Sequence, residues 1–296
     1  QAENVMFETQ RLLTELTSYI QTNYSIGKSE AQDLLNAQLQ MSKLEEQLQA
    51  NRQQQQRLVS QMSEWLGTEW LVKNQSLQAS NQLEWTSLAQ ALHESTNATR
   101  HYALLSQHPM VKIADANIAV SETQVNIAEQ AYTPQFGVEV MYANRQANNM
   151  MGEPASDLLS AYVTMDIPLF TGNRQDKSHE AAQLQVGAAK SQKDLLLTQM
   201  NAKVNALLVD KSNLEQRLER YTQTLLPQAK ARVQAVERGY QNNTTQFNDV
   251  IGATRDQLAI TLEQERLITD LNLVQSNLAA LLGTFDALST STSQHQ

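Results

Sequence analysis

The chain has 296 residues, of which only 9 are glycine and 5 are proline. Turns and tight loops depend on these two residue types, so the composition excludes β-sandwiches, propellers and doubly wound α/β enzymes. A net charge of −9, without a block of lysine or arginine, argues against nucleic-acid binding. The 38 glutamines favour helices without adding charge and predict long helices in a coiled-coil-like assembly.

Cysteine and long apolar runs are both absent. Without cysteine there are no disulfides, thiolate metal sites or cysteine nucleophiles. The sequence contains no run of about 18 apolar residues, so no membrane-spanning helix is predicted. The first ten residues, QAENVMFETQ, lack the basic and apolar segments of a signal peptide, and we expect that any such peptide has been removed.

Both ends of the chain carry the same pattern, at an offset of 216 residues. Glycine and asparagine favour the left-handed conformation that ends helices, and serine and threonine are good N-caps for the next helix. Each copy is therefore predicted to be a helix, a tight reversal and a second helix. The matching pairs are Tyr24 and Tyr240, Gly27 and Asn243, Ser29 and Thr245, Asp33 and Asp249, and Gly67 and Gly283.

Apolar residues spaced three and four apart follow each reversal. The first run extends from Leu34 to Trp65, and the second extends from Val250 to Leu281. Each run keeps a heptad pattern for about five heptads. We therefore predict two helical hairpins that pack side by side.

A non-helical stretch is predicted between the reversals. Pro109 is well placed to open a helix, which runs to about Ala131, and a helical pattern resumes after Gly172 and runs to Tyr240 with a break near Pro227. Two segments of alternating polarity lie between these helices, separated by a loop over 144–157. Their apolar faces consist of Phe136, Val138, Val140 and Tyr142, and of Leu159, Ala161, Val163, Met165, Ile167 and Leu169.

The predicted β-hairpin is apolar on one face and polar on the other. A lone hairpin is barely stable in water, so its apolar face needs a cover. In one interpretation it packs on helices of the same chain. In the other it belongs to a membrane β-barrel that several subunits share, because strands of about ten residues with alternating polarity suit such a barrel.

Five short motifs follow one another along the chain, together with the 216-residue repeat: Gln107-His108-Pro109, Ala131-Tyr132-Thr133-Pro134, the segment from Asp166 to Gly172, Arg238-Gly239-Tyr240 and Leu281-Leu282-Gly283. In this order they resemble the outer-membrane efflux proteins, the TolC-type channels, and the resemblance covers nearly the whole chain. The stretches Met150–Pro154 and Leu169–Gln175 are most similar to the heavy-metal branch.

The resemblance implies a mainly α fold, with long coiled-coil hairpins in an α-barrel and one β-hairpin in a trimeric outer-membrane β-barrel. It also implies a passive channel of a tripartite efflux system, working in the outer membrane of a Gram-negative bacterium with a periplasmic adaptor and, indirectly, an inner-membrane pump. No catalysis and no cofactor are expected. The cargo would be metal ions or drugs, or secreted proteins in a related pathway. The alternative is a periplasmic coiled-coil adaptor or scaffold without a channel.

Four segments are predicted: a partial first repeat over 1–67, an inter-repeat equatorial segment over 68–108, a second repeat over 109–283 and a flexible tail over 284–296. The second repeat contains an ascending helix over 109–131, the hairpin over 134–170, a descending helix over 172–239 and a returning helix over 245–283. The first repeat lacks equivalents of residues 109–216, so we expect an incomplete chain.

Functional residues are carried over from the family by position. The resemblance implies a periplasmic constriction or gate formed by Asp249, Tyr240, Asp33 and Thr245. It implies an adaptor-docking tip formed by Tyr24, Gly27, Ser29 and Asn243. Glu139 and Asp166 would face the barrel lumen. A first-turn acid that offsets the helix dipole is the other interpretation of Asp249.

Four methionines lie near the hairpin: Met141, Met150, Met151 and Met165. Thioethers suit Cu(I), but methionine also fills gaps in apolar packing. The histidines show no spacing typical of a metal site, and we assign no metal ligands. No phosphate-binding glycine loop or catalytic triad is present.

Overall fold

The computed structural model describes residues 1–27, 30–73, 79–94, 101–148, 150–242 and 244–284. The chain divides into two compact units, one formed by Gln1–Thr96 with Val204–Ala280 and the other by Asn97–Lys203. The predicted fold class is confirmed, because the described residues are mainly helical and contain a single antiparallel β-hairpin. In these ranges, no helix combines the length and the apolar character needed to cross a bilayer.

The first unit begins with a helical hairpin. Helix α1 (Ala2–Ser25) ends near Gly27, whose φ of 74° lies in the predicted left-handed region. Helix α2 (Ala31–Gln61) then returns along α1. Arg52 Nε donates to Glu3 Oε1 at 2.7 Å, which joins the start of α1 to the far part of α2.

Only the first half of the predicted heptad run on α2 is buried. Leu44 and Leu48 lie in the core that α2 shares with α1. Farther along, Leu58 and Trp65 are 53% and 83% exposed. Both lie beyond the position of Arg52, whose side chain contacts Glu3 in the first turn of α1.

Short helices lead from the first hairpin to the second unit. They are α3 (Ser63–Leu66), α4 (Thr68–Lys73), α5 (Thr86–Glu94) and α6 (Tyr102–Leu105). A long helix, α7 (Pro109–Gln130), follows them. As predicted, Pro109 occupies its first turn, and the ring of His108 accepts the backbone N–H of Met110 at 3.1 Å as a cap.

The predicted hairpin consists of β1 (Gln135–Ala143) and β2 (Leu158–Asp166). Its loop spans residues 144–157, as expected. The register pairs the predicted apolar residues of the two strands with one another: Phe136 with Met165, Val138 with Val163, Val140 with Ala161, and Tyr142 with Leu159.

A long helix, α8 (Gln175–Arg220), follows the hairpin. A π-helical turn (Tyr221–Leu225) joins it to α9 (Leu226–Gln241). The predicted break near Pro227 takes the form of this π turn, which interrupts the α-helical hydrogen bonding just before the proline while the chain continues as a helix. Proline cannot donate the usual backbone hydrogen bond, and a local π turn accommodates that loss without ending the helix.

Ion pairs join α7 to the first part of α8. Asp115 pairs with Lys193 at 2.6 Å and Glu122 pairs with Lys190 at 3.2 Å. Glu129 lies seven residues beyond Glu122, as Glu122 does beyond Asp115, and contacts the ring of His179 in α8. The three acids share one face of α7, because seven residues are close to two helical turns.

The last helix, α10 (Phe247–Leu282), completes the second copy of the repeat. Helix boundaries in the two copies correspond closely. Three pairs of boundaries lie 216 residues apart: the helix ends at Ser25 and Gln241, the helix starts at Ala31 and Phe247, and the glycines with positive φ at Gly67 and Gly283.

Polar contacts tie the segment before α5 to α10. Asn81 Nδ2 donates to Glu265 Oε2 at 3.0 Å, and the Asn81 carbonyl accepts from Asn272 Nδ2 at 2.8 Å. Trp85 Nε1 donates to Asn272 Oδ1 at 3.1 Å. The side chain of Leu88, in α5 itself, is buried. These contacts fix a segment that has no regular structure against a long helix.

Candidate functional site: the hairpin and the helical tip

The apolar face of the hairpin is exposed. Phe136, Val138 and Val163 expose 70%, 75% and 77% of their surfaces, and their neighbours on this face are also exposed. The interpretation that helices of the same chain cover this face is therefore wrong for the described residues. An apolar face of this kind marks an interaction site or a membrane-facing surface.

The other face of the hairpin is polar. Glu139 lies opposite Tyr162, and Asp166 lies opposite Gln135. Because side chains alternate along a strand, Glu139 and Asp166 point to the same side of the sheet. The structure thus brings the two predicted lumen residues onto one face, away from the apolar side chains.

A carboxylate anchors the loop between the strands. The Tyr142 hydroxyl donates a short hydrogen bond to Asp157, and the Arg145 backbone N–H donates to the same carboxylate at 3.1 Å. Asn144 Nδ2 adds a third bond at 3.3 Å. Tyr142, then Arg145 and Asn144, lower the pKa of Asp157 below its usual value by stabilising the charged form.

The base of the hairpin is joined to α8 by Tyr132. Its hydroxyl donates to Asp176 Oδ1 at 2.8 Å, and its ring lies edge-on to His179 with centroids 6.3 Å apart. Desolvation, followed by the hydrogen bond to Asp176, raises the pKa of Tyr132. These contacts link the end of α7 to the start of α8 at the point where the strands begin.

Thr245 does not act as the predicted N-cap. Its hydroxyl donates to the Val236 carbonyl at 3.0 Å and satisfies an acceptor near the end of α9. The cap of α10 is formed differently, because the backbone N–H of Gln246 donates to Asp249 Oδ2 at 3.2 Å. An acid at the third position of a helix that accepts the backbone N–H of the cap residue forms half of a capping box. Asp249 therefore has a structural role at the start of α10.

Tyr240 lies in an aromatic cluster at the tip. Its ring centroid is 6.1 Å from that of Tyr19 in α1 and 5.9 Å from that of Phe247. Asp33 lies in the first turn of α2. In the described part of the tip, no hydrogen bond joins Tyr240 to Asp33, and the aromatic cluster links the two copies of the repeat.

A second contact between the copies uses asparagines that the sequence analysis missed. Asn36 Nδ2 in α2 donates to Asn248 Oδ1 in α10 at 3.1 Å. Neither asparagine has an asparagine at its repeat-related position, which is Gly252 for Asn36 and Gln32 for Asn248. The repeat therefore contained no signal for this pair.

The docking residues of the tip are only partly described. Tyr24 is 45% exposed, and Gly27 has open space around its α-carbon. Ser29 and Asn243 lie outside the described residues. The first reversal thus presents Tyr24 and Gly27 at its surface.

The methionines near the hairpin do not converge. Met165 lies on the apolar face and Met141 on the polar face, opposite Ser160. Met150 and Met151 are exposed in the loop. Among the described histidines, aspartates and glutamates, no group of three is arranged to hold a metal ion.

The family model of the outer membrane efflux proteins matches residues 101–284. The chain belongs to this family. The match includes the hairpin with its exposed apolar face, both helices that flank it and the second reversal. Among curated proteins, none matches the chain significantly.

Solved outer-membrane channels share the fold. VceC from Vibrio cholerae is 17% identical with a TM-score of 0.72, over 96% of this chain and 66% of that one. CusC is 14% identical with a TM-score of 0.75, over 96% of this chain and 64% of the CusC chain. The CmeC channel of Campylobacter jejuni is 13% identical with a TM-score of 0.74, over 96% of this chain and 59% of the CmeC chain. The chain thus spans about three fifths to two thirds of the length of these structures.

Proposed function

We propose that this efflux-family chain is a subunit of a homotrimeric outer-membrane channel, a passive duct from the periplasm to the outside in a tripartite efflux system. The observation that carries the proposal is the exposed apolar face of the hairpin, which packs on no described helix. Strands of nine residues, apolar on one side and polar on the other, fit the membrane-spanning strands of a β-barrel.

In this arrangement the apolar face contacts lipid, and Glu139 and Asp166 line the water-filled lumen. Two strands cannot close a barrel, so further strands must come from other subunits or from chain beyond these residues. The loop that Asp157 anchors would lie at the outer rim, at the end of the hairpin opposite Tyr132.

An exposed heptad stripe on α7 supports lateral packing between subunits. Ile113, Val120 and Ile127 are seven residues apart and 61%, 68% and 56% exposed. This stripe lies on the side of α7 opposite the acids that pair with α8. Helices with such unpartnered stripes associate side by side, as an α-barrel of several subunits requires.

The tip forms the periplasmic entrance in this proposal. Copies of Asp249 around a threefold axis would favour cations at the constriction. Tyr240 would hold the mouth through its contact with Tyr19 of the other repeat, and Asp33 and Thr245 would lie at the same constriction. Tyr24 and Gly27, with Ser29 and Asn243, would form the surface that meets the periplasmic adaptor.

Metal ions or drugs are the proposed cargo. The resemblance of the stretches Met150–Pro154 and Leu169–Gln175 to the heavy-metal branch favours metal ions, but Met141 and Met165 lie on opposite faces of the hairpin and form no ordered thioether site. A cargo that passes through without a fixed binding site agrees with a passive duct.

Membrane fractionation and conductance test the proposal. The natural protein that contains this chain should partition into the outer membrane, resist extraction by salt and form cation-selective pores in planar bilayers. An adaptor or scaffold, the alternative function, would be extracted by salt and would conduct no ions. That second result would overturn the channel proposal.

A further inference from the structure

A cavity of about 210 Å³ lies in the first unit between α1, α2 and α10. Its inner wall is apolar, with Leu13, Leu44 and Ile251 buried and Leu258 partly buried. Lys43 and Arg255 line the same cavity, and both are exposed. The cavity is therefore apolar inside and positively charged toward solvent.

These two cations have no acidic partner among the described residues. Glu46 lies one turn from Lys43 on α2, but no ion pair forms between them. Asp256, next to Arg255, is held instead by Arg232 at 2.6 Å. Both cations thus line the apolar cavity without an ion pair in the part of the chain that the structure describes.

The cations are also not part of the repeated design. The position related to Lys43 by the 216-residue offset is Ala259, and the position related to Arg255 is Leu39. If Lys43 and Arg255 served the heptad packing that both copies share, similar residues would be expected at the repeat-related positions. Charge at this cavity is thus a feature of one copy only.

We propose that the cavity binds a single-chain amphipathic carboxylate, such as a medium-chain fatty acid. The alkyl chain lies against Leu13, Leu44 and Leu258, and the carboxylate lies between Lys43 and Arg255. Charge-assisted hydrogen bonds to two cations select an anion, and the apolar wall selects a chain. The site involves neither the hairpin nor the tip contacts and does not rest on the channel proposal.

Photo-crosslinking tests the site directly. Decanoate with a diazirine at the end of its chain is added to the protein in a nonionic detergent, and labelled peptides are identified by mass spectrometry. All variants are studied in the same detergent, so that partition of the probe into micelles is equal for each. Label is expected on peptides containing Leu13, Leu44 or Leu258.

Competition defines the ligand chemistry. Unlabelled decanoate should displace the probe, and decanol and decyltrimethylammonium should not. Octanoate should compete about sixteenfold more weakly than decanoate, since each buried CH₂ contributes about fourfold. Equal competition by decanol or by the cation would overturn the proposal.

Matched variants separate the cavity from general charge effects. Lys43→Gln and Arg255→Gln should each weaken binding about fivefold, and Arg57→Gln, an exposed arginine of α2 that does not line the cavity, should leave it unchanged. Ala259→Trp should fill the cavity and abolish labelling, with helical circular dichroism retained. The proposal is wrong if cavity peptides carry no label or if all three charge variants behave alike.

Discussion

The side chain of Thr245 packs directly on the α-carbon of Gly239. A Cβ atom on Gly239 would lie 2.7 Å from Thr245 Cγ2 and 2.8 Å from its hydroxyl oxygen. Because the same hydroxyl donates to the Val236 carbonyl, it is not free to turn away without losing that bond. The second reversal of the repeat therefore requires glycine inside the last turns of α9.

This contact predicts that Gly239→Ala destabilises the tip. Overpacking of this kind costs about 1–3 kcal/mol, and the apparent melting temperature should fall. The double variant with Thr245→Ala should recover part of the loss, since the clashing atoms are removed. Gly252→Ala is the matched control in α10, where a Cβ meets nothing within 4 Å, and it should stabilise by about 0.5–1 kcal/mol. Equal effects at the two glycines would contradict the prediction.

Charge on the apolar face of the hairpin should block membrane insertion. Val138→Lys places a cation near the middle of a strand, where a lipid-facing lysine costs about 2–4 kcal/mol. Tyr162→Lys is the control, because Tyr162 lies on the polar face opposite Glu139. The amount of the natural protein in the outer-membrane fraction should fall for Val138→Lys and should remain near normal for Tyr162→Lys. Equal loss would mean that the apolar face does not meet lipid.

The exposed stripe of α7 should carry subunit contacts. Val120→Glu is expected to reduce the trimer fraction of the natural protein, as measured by native mass spectrometry, because it puts a charge into an apolar seam. Ala119→Glu changes an exposed neighbour outside the stripe and should leave assembly unchanged. If the trimer fraction is unchanged in Val120→Glu, the exposed stripe of α7 does not form the contact between subunits.

The anchor of the hairpin loop should depend on pH. The pKa of Asp157 is lowered in the folded protein, first by the Tyr142 hydroxyl, so its stabilising bonds are complete above the usual value of 3.8 and are lost as the pH falls through the lower folded value. An NMR titration of the Arg145 amide should follow this loss. Tyr142→Phe should move the midpoint upward, and Asp157→Asn should remove the transition. An unchanged midpoint in Tyr142→Phe would contradict the assignment.

Much of the fold follows from local pattern in the sequence. The scarcity of glycine and proline limits the number of turns, and the 216-residue repeat predicts which helices end where, as Ser25 and Gln241 illustrate. Period-two alternation predicts both strands and the composition of their faces. The observed register pairs Val138 with Val163, which keeps the predicted apolar residues on one face.

Several side-chain contacts, some local and some between distant elements, could not be predicted in this way. Thr245 has the residue type of an N-cap, but the close approach of Gly239 turns its hydroxyl toward the preceding helix. The pairing of Asn36 with Asn248 and the edge-to-face contact of Tyr19 with Tyr240 depend on how the two copies meet, and no spacing encodes that.

The sequence by itself determined the helices, their reversals, the hairpin with its two faces and the family resemblance, because these features arise from backbone preference and periodic burial within short stretches. Only the tertiary structure decided that the apolar face of the hairpin remains exposed, that Asp249 caps its own helix and that Lys43 and Arg255 line one cavity. The Asp249 cap is a local bond that depends on the geometry of the turn before α10. The exposed face and the cavity depend on which surfaces meet across long stretches of the chain, and many alternative pairings of amphipathic helices satisfy the same local pattern.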